Sequence, residues 1–241
     1  DGNRATSSRA AVCGGESNTA AGSISFIGGG SHNSTGVLAQ TGTIGGGFNN
    51  QVTGGTATIG GGSGNQAAGL NATIGGGSTN AASGPSSTVG GGYGNTVEAT
   101  AAYAMVGGGL WNSVDDYYTT IAGGRDNSAT GIYATVPGGR DNEADGSYSF
   151  AAGYRAKARH EGSFVWADST AADFNSTAQN QFRVRASGGV EFHTDAEIFS
   201  DSPRGFSLSA LNAPMITREW DAFSSSAPAD TYTEPRGRAW R

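Results

Sequence analysis

The 241-residue chain holds 42 glycines, only 14% charged residues and a formal net charge of −6. Nothing in it forms the basic stripe of a nucleic-acid binder. No stretch of 18 apolar residues and no charged-then-apolar opening segment is present, so neither a membrane span nor a signal peptide is expected.

Residues 1–11 read as an N-terminal lead-in. From 12 to 168 the sequence is a tandem array, marked by the third position of a recurring Gly-Gly-Gly, complete in six of the ten units, at Gly15, Gly30, Gly47, Gly62, Gly77, Gly92, Gly109, Gly124, Gly139 and Gly153. The spacing is 15 residues, with two steps of 17 and a last step of 14. Fixed self-similarity of this kind marks a stacked solenoid, in which each unit buries its apolar side only against its neighbours.

The other columns define the unit. Three residues before each third glycine stands an apolar residue: Val12, Ile27, Ile44, Ile59, Ile74, Val89, Val106, Ile121, Val136 and Phe150. Just before it come Thr43, Thr58, Thr73, Thr88, Thr120 and Thr135, with Phe26, Met105 and Ser149 as exceptions. Neighbours in a strand face opposite sides, so this pair predicts a short strand with threonine outside and isoleucine inside. Three residues after the glycine comes Asn18, Asn33, Asn50, Asn65, Asn80, Asn95, Asn112, Asn127 or Asn142, with Ala156 in the tenth unit. Two further on is a small inward column of Ala20, Thr35, Val52, Ala67, Ala82, Val97, Val114, Ala129, Ala144 and Ala158. A unit of about 15 residues is too short for a helix pair. It fits one coil of a narrow β-solenoid, with glycine supplying positive φ at a bend and asparagine taking a left-handed conformation and bonding to its stacked copies. Both 17-residue units place their extra pair between the Asn and the Thr or Met. Ten coils would span roughly 45–50 Å at the strand spacing of a sheet.

Cys13 occupies the first glycine column of the first coil, either as a small residue standing in for glycine or as a thiol bonded between chains. The two positions after each third glycine vary, and they hold the candidate surface-binding residues Phe48, Tyr93, Leu110, Trp111, Arg125, Arg140 and Tyr154. Aromatic side chains on a rigid corner suit sugar rings or protein hot spots. A second aromatic row, Tyr103, Tyr118 and Tyr133, recurs at intervals of 15, and Tyr148 continues it if the deleted residue of the short unit falls after it. Self-packing and a contact between chains both account for that row.

No chemistry of catalysis or cofactor binding is expected. His32, His160 and His193 are scattered with respect to the repeat, so no metal-ligand or nucleophile–base spacing forms. No Gly-Lys-Ser or Gly-Lys-Thr occurs. Asp115, Asp116 and Asp126 come nearest to a cation site and read as solvated carboxylates beside Arg125 and Arg140. Arg125-Asp126-Asn127 and Arg140-Asp141-Asn142 predict a charge ladder on the surface, worth little energetically.

Beyond Asp168 the period is lost. Residues 169–200 read as a β-hairpin cap, with Phe182, Val184 and Ala186 on one face, a turn at Gly188-Gly189, then Val190 and Phe192. Residues 201–241 read as an extended tail, with Pro203, Pro214, Pro228 and Pro235 breaking it and Trp220, Phe223, Tyr232 and Trp240 available for packing.

Units such as Ala57-Thr58-Ile59-Gly60-Gly61-Gly62-Ser63-Gly64-Asn65 and Ala72-Thr73-Ile74-Gly75-Gly76-Gly77-Ser78-Thr79-Asn80 resemble the head repeats of trimeric autotransporter adhesins, the YadA-like heads. The charged stretch from Val136 to Asp168 resembles the end of such heads, in bacterial surface proteins and in phage tail fibres alike. The likeness spans roughly residues 12–192. It implies a left-handed parallel β-roll, three chains about a common axis, and extracellular attachment to a glycan or protein receptor. The segment from Arg185 to Val190 is similar to one that precedes a self-cleaving trimerisation chaperone in phage fibres, although too few residues follow Ser200-Asp201 to build one. A thin core of one isoleucine and one alanine per coil makes a lone chain marginal, so lateral association is expected on physical grounds too. The sequence thus reads as an all-β parallel solenoid of about ten coils with a short β extension, working as a non-enzymatic homotrimeric fibre or adhesin head on a cell surface or virion. Two other readings use single features: an ice- or glycan-binding solenoid from the threonine column, and a glycan-cleaving fibre from Asp115, Asp116 and Asp126 if they cluster.

Overall fold

A computed structural model of the chain describes residues 2–191, which form a parallel β-solenoid of about twelve coils with no helix among them. Each coil gives one short strand to each of two sheets. Strands such as Thr43–Ile44, Thr58–Ile59 and Thr73–Ile74 pair in parallel and in register to make the threonine sheet. Strands such as Gln51–Val52, Gln66–Ala67 and Ala81–Ala82 make the opposite sheet. Twelve strands at about 4.8 Å make a stack roughly 55 Å long. The stack ends within one compact unit that closes at Gly189.

The coil count exceeds the sequence expectation because both flanks join the stack. Arg4–Ala5, in the lead-in, pairs with Thr19–Ala20. Phe174–Asn175 pairs with Ala156–Ala158, and Phe182–Arg185 with Phe164–Ala167, all in parallel. What reads in sequence as the first arm of a hairpin is therefore the last strand of the threonine sheet, and no second arm follows it among the described residues. Phe192 and the tail at 201–241 lie outside the described residues.

Every third glycine has φ between +84° and +98°, a region open to glycine and costly for other residues. A Cβ at Gly62 would also overlap the Gly77 carbonyl of the next coil. The bend after it contains a second left-handed residue, and here the structure corrects the sequence. The asparagine is not left-handed; the residue before it is, at φ of +54° to +61° in Ser17, His32, Asn49, Thr79, Trp111, Asp126, Asp141 and Arg155.

That geometry turns each asparagine inward. Asn65 is buried, donates its amide to the carbonyls of Gly61 and Gly77 at 3.0 Å each, and with its side-chain oxygen accepts the backbone N–H of Asn80 in the next coil. The same pattern runs from Asn33 through Asn50, Asn80 and Asn95 to Asn142. It begins one coil earlier than expected, at Asn3, whose side-chain oxygen accepts the Asn18 N–H. Ala156, which replaces the asparagine, caps the ladder by donating its N–H to Asn142 at 2.9 Å.

The core is the column of Ile27, Ile44, Ile59, Ile74 and their equivalents facing the column of Ala20, Val52, Ala67 and Ala82, all fully buried. A third inward column precedes the threonines, with Ala57, Ala72, Ala104 and Ala134 in it. Phe150 does not belong to the isoleucine column. It pairs with Thr135, so Ala151 takes the core position and Ser149 falls in the third inward column. The residue missing from the 14-residue step therefore lies between Phe150 and Gly153.

Candidate functional site

The edge formed by the first bend of each coil, between the glycine and the asparagine, is an exposed regular feature of the stack. The residue after the third glycine lines up coil upon coil: Glu16, Ser31, Phe48, Ser63, Ser78, Tyr93, Leu110, Arg125, Arg140 and then Tyr154 are joined as parallel bridges or strand partners. The following residue is the left-handed one. Its N–H donates to the carbonyl of the preceding coil's bend, as in Asn49 to Ser31, Trp111 to Tyr93 and Asp126 to Leu110, at 2.9–3.0 Å. With its backbone groups paired in this way, the edge is a rigid rail and its side chains project from it.

All seven sequence-predicted binding residues stand on this rail. Phe48 is 54% and Trp111 58% exposed. Phe48 is set apart by Ser63 and Ser78 and packs instead against His32, with ring centroids 5.7 Å apart. The other six run without a break over five coils. Tyr93 and Trp111 pack at 5.8 Å with their planes tilted by 49°, and the Arg140 guanidinium lies 4.2 Å over the Tyr154 ring. Each arginine also pairs with the aspartate that follows it, Arg125 with Asp126 at 2.9 Å and Arg140 with Asp141 at 3.3 Å. These pairs are open to solvent and contribute little stability. Their effect is to hold the guanidiniums in place on a rail with no net charge of its own there.

The acidic residues do not converge. Asp126 is on the first bend, whereas Asp115 and Asp116 follow the strand Ser113–Val114 and belong to the second bend. Asp115 accepts from the Thr100 hydroxyl at 3.0 Å, and Asp116 from the Tyr117 N–H at 2.8 Å. Among the described residues no group of three or more His, Cys, Asp or Glu could hold a metal. His32 and His160 bond to the hydroxyls of Ser31 and Ser176. Cys13 is exposed, with its N–H bonded to the Ile27 carbonyl, in the column that the next six coils fill with glycine and the two after them with Ala122 and Pro137.

Charge concentrates in the last coils. Glu143 on the opposite sheet accepts from Lys157 and from Arg159 at 2.7 Å each. Burial pushes the Glu143 carboxyl up, but Lys157 and Arg159 together draw it below its ordinary value. Arg155 pairs with Asp173 at 2.7 Å and lowers the Asp173 pKa. Hydrogen bonds from Thr170 and from the Ser187 N–H hold Asp168 well below the usual carboxylate range, and Arg185 binds it at 3.0 Å. Sequence reasoning missed these bridges because their partners are 14 to 19 residues apart and meet only through the coil register.

The two broad faces differ. The outward columns of the threonine sheet contain no charged residue from Ala11 to Val184: threonines, glycines and alanines give way to Phe26 and Met105, and finally to Phe150, Phe164, Trp166 and Phe182. Phe150, Phe164 and Phe182 stack at 4.5 and 4.6 Å. The opposite sheet shows Thr19, Ser34, Gln51, Gln66, Ala81, Thr96, Ser113 and Ser128, richer in amides and serine, and only then the charged Glu143 and Lys157. No known protein family and no curated protein matches the chain.

Proposed function

We propose that the chain is one strand of a homotrimeric, non-catalytic attachment rod that works outside the cell, on a bacterial surface or in a virion fibre. The observation that carries this reading is the outer face of the threonine sheet, whose outward columns from Ala11 to Val184 hold no charged residue, beside a polar face and an exposed rail. Exposed apolar groups rimmed by polar surface mark sites of protein association; Phe26, Met105, Trp166 and Phe182 supply them on this face, and self-association of three copies through it gives each thin solenoid a second apolar contact. The resemblance of the repeats to YadA-like heads supports the same arrangement. The rail, with Phe48, Tyr93, Leu110, Trp111, Arg125, Arg140 and Tyr154, then faces outward, where aromatic and guanidinium groups serve as anchors for a glycan or protein receptor. The reading requires no cofactor, metal or catalytic residue.

The test is adhesion under flow. Beads coated with the protein are expected to stick to bacterial or animal cell layers, and Tyr93→Ala/Trp111→Ala is expected to reduce their retention by a factor of at least about 30, since a single hot-spot aromatic contributes about 2 kcal/mol or more. Retention unchanged by that variant on every surface that holds the beads would sink the rail as the receptor contact.

A further inference from the structure

The second bend carries a feature the attachment rail does not use. Tyr103, Tyr118, Tyr133 and Tyr148 occupy one column there, with ring centroids 5.2, 5.0 and 5.2 Å apart and planes within 9° of parallel. The 14-residue step does not interrupt the row. All four have φ of +57° to +59°, a conformation that costs a side chain this size on the order of 1 kcal/mol. Other coils place Asn71, Ser86 or Asn180 at such positive-φ bends, so the backbone does not call for tyrosine.

Ring stacking offsets that cost, but stacking accounts only for a ring. The same solenoid stacks bare phenylalanines on its threonine sheet, at Phe150, Phe164 and Phe182. On the second bend all four rings carry hydroxyls, and the rings remain 46–63% exposed. The bend's side-chain hydrogen bonds run through Thr100, Asp116 and Thr119, and among the described residues no protein group pairs with the four phenols. The result is a straight file of ring rims and hydroxyls at one constant step, flanked on the same bends by Asp115, Asp116 and Asp145.

We propose that this file is a binding strip for a neutral, extended β-linked glycan lying along the rod. A one-ring-wide, strictly periodic strip suits a periodic polymer, whereas protein hot spots cluster within a surrounding rim. The rise of an extended β-1,4-linked hexose chain is close to the ring step, so successive sugars meet successive tyrosines. The exposed ring rims give up apolar area to the sugar, while phenols and carboxylates bind its hydroxyls. The carboxylates repel uronic or sulfated sugars, which restricts the ligand to neutral ones. Each contact is weak, and affinity accumulates with the number of tyrosines spanned.

The intact protein is titrated calorimetrically with cellohexaose, cellobiose and hexagalacturonate. Cellohexaose is expected to bind at least about tenfold more tightly than cellobiose, because its further contacts are intramolecular, and hexagalacturonate is expected not to bind. Tyr118→Phe/Tyr133→Phe keeps the stack and removes two hydroxyls, and should weaken cellohexaose about tenfold. Tyr118→Asn/Tyr133→Asn introduces the residue that Asn71 already places at a positive-φ bend, so the coil is retained, and should abolish binding. Tyr93→Ala/Trp111→Ala should leave it unchanged, so the rail and the strip fail independently. No binding of cellohexaose, equal binding by the Asn variant, or equal binding of hexagalacturonate would each overturn the proposal. So would a fall in molar mass in the Asn variant, which would place the strip between copies.

Discussion

Asn65 concentrates the physics of the bend in one side chain. Its amide fills three roles at once: it satisfies two carbonyls, and its oxygen receives the N–H of Asn80. Asn65→Ala takes these partners from the Gly61 carbonyl and the Asn80 N–H in two adjacent coils, while the Gly77 carbonyl keeps the Ser63 N–H, so the expected loss is about 3 kcal/mol, read from denaturant unfolding. A loss within experimental error would mean that water replaces the amide. The column itself was legible in the sequence, because a polar residue recurring at every coil has to be buried against its own copies to be useful. Its conformation was not. The left-handed position falls on turn formers such as Asn49, Gly64, Asp126 and Asp141 in some coils but on Ser17, His32, Thr79 or Trp111 in others, so the unvarying signal pointed to the asparagine beside it.

At the scale of elements, the first and last coils differ in what holds them. Coils from Ile27 to Val97 depend on small apolar columns and asparagine, whereas those from Glu143 to Arg185 add ion pairs and hydrogen-bonded carboxylates. Glu143, Asp168 and Asp173 all have folded pKa values lowered from their ordinary ones. Their contribution is therefore fully present above the unfolded carboxylate pKa of about 4 and is lost as the pH falls through the folded values. Acid should open the C-terminal coils first. Amide hydrogen exchange, corrected for its intrinsic pH dependence, is expected to show protection falling in residues 143–185 below about pH 4 while residues 27–97 keep theirs; simultaneous loss along the whole stack would contradict this. The array itself was readable from spacing, but its ends were not. Arg4–Ala5 and Phe182–Arg185 lack the glycine run, and only their parallel partners identify them as coils. The shift of Phe150 out of the core has the same origin, since a 14-residue step does not reveal which residue is missing.

For the whole molecule, the decisive contrast is between the uncharged threonine face and the polar face opposite. A lysine at the centre of a face buried between copies must be desolvated without a partner, while a lysine on a solvated face costs little. Thr73→Lys/Thr88→Lys is therefore expected to separate the copies with the coil intact, and Gln51→Lys/Gln66→Lys to change nothing, with circular dichroism checking the fold in both. Molar mass by light scattering tests the account at its centre. The native protein is expected at three times the 24.1 kDa of the chain, with the threonine-face variant alone falling to one chain. A native protein that scatters as a single chain would contradict the trimeric rod.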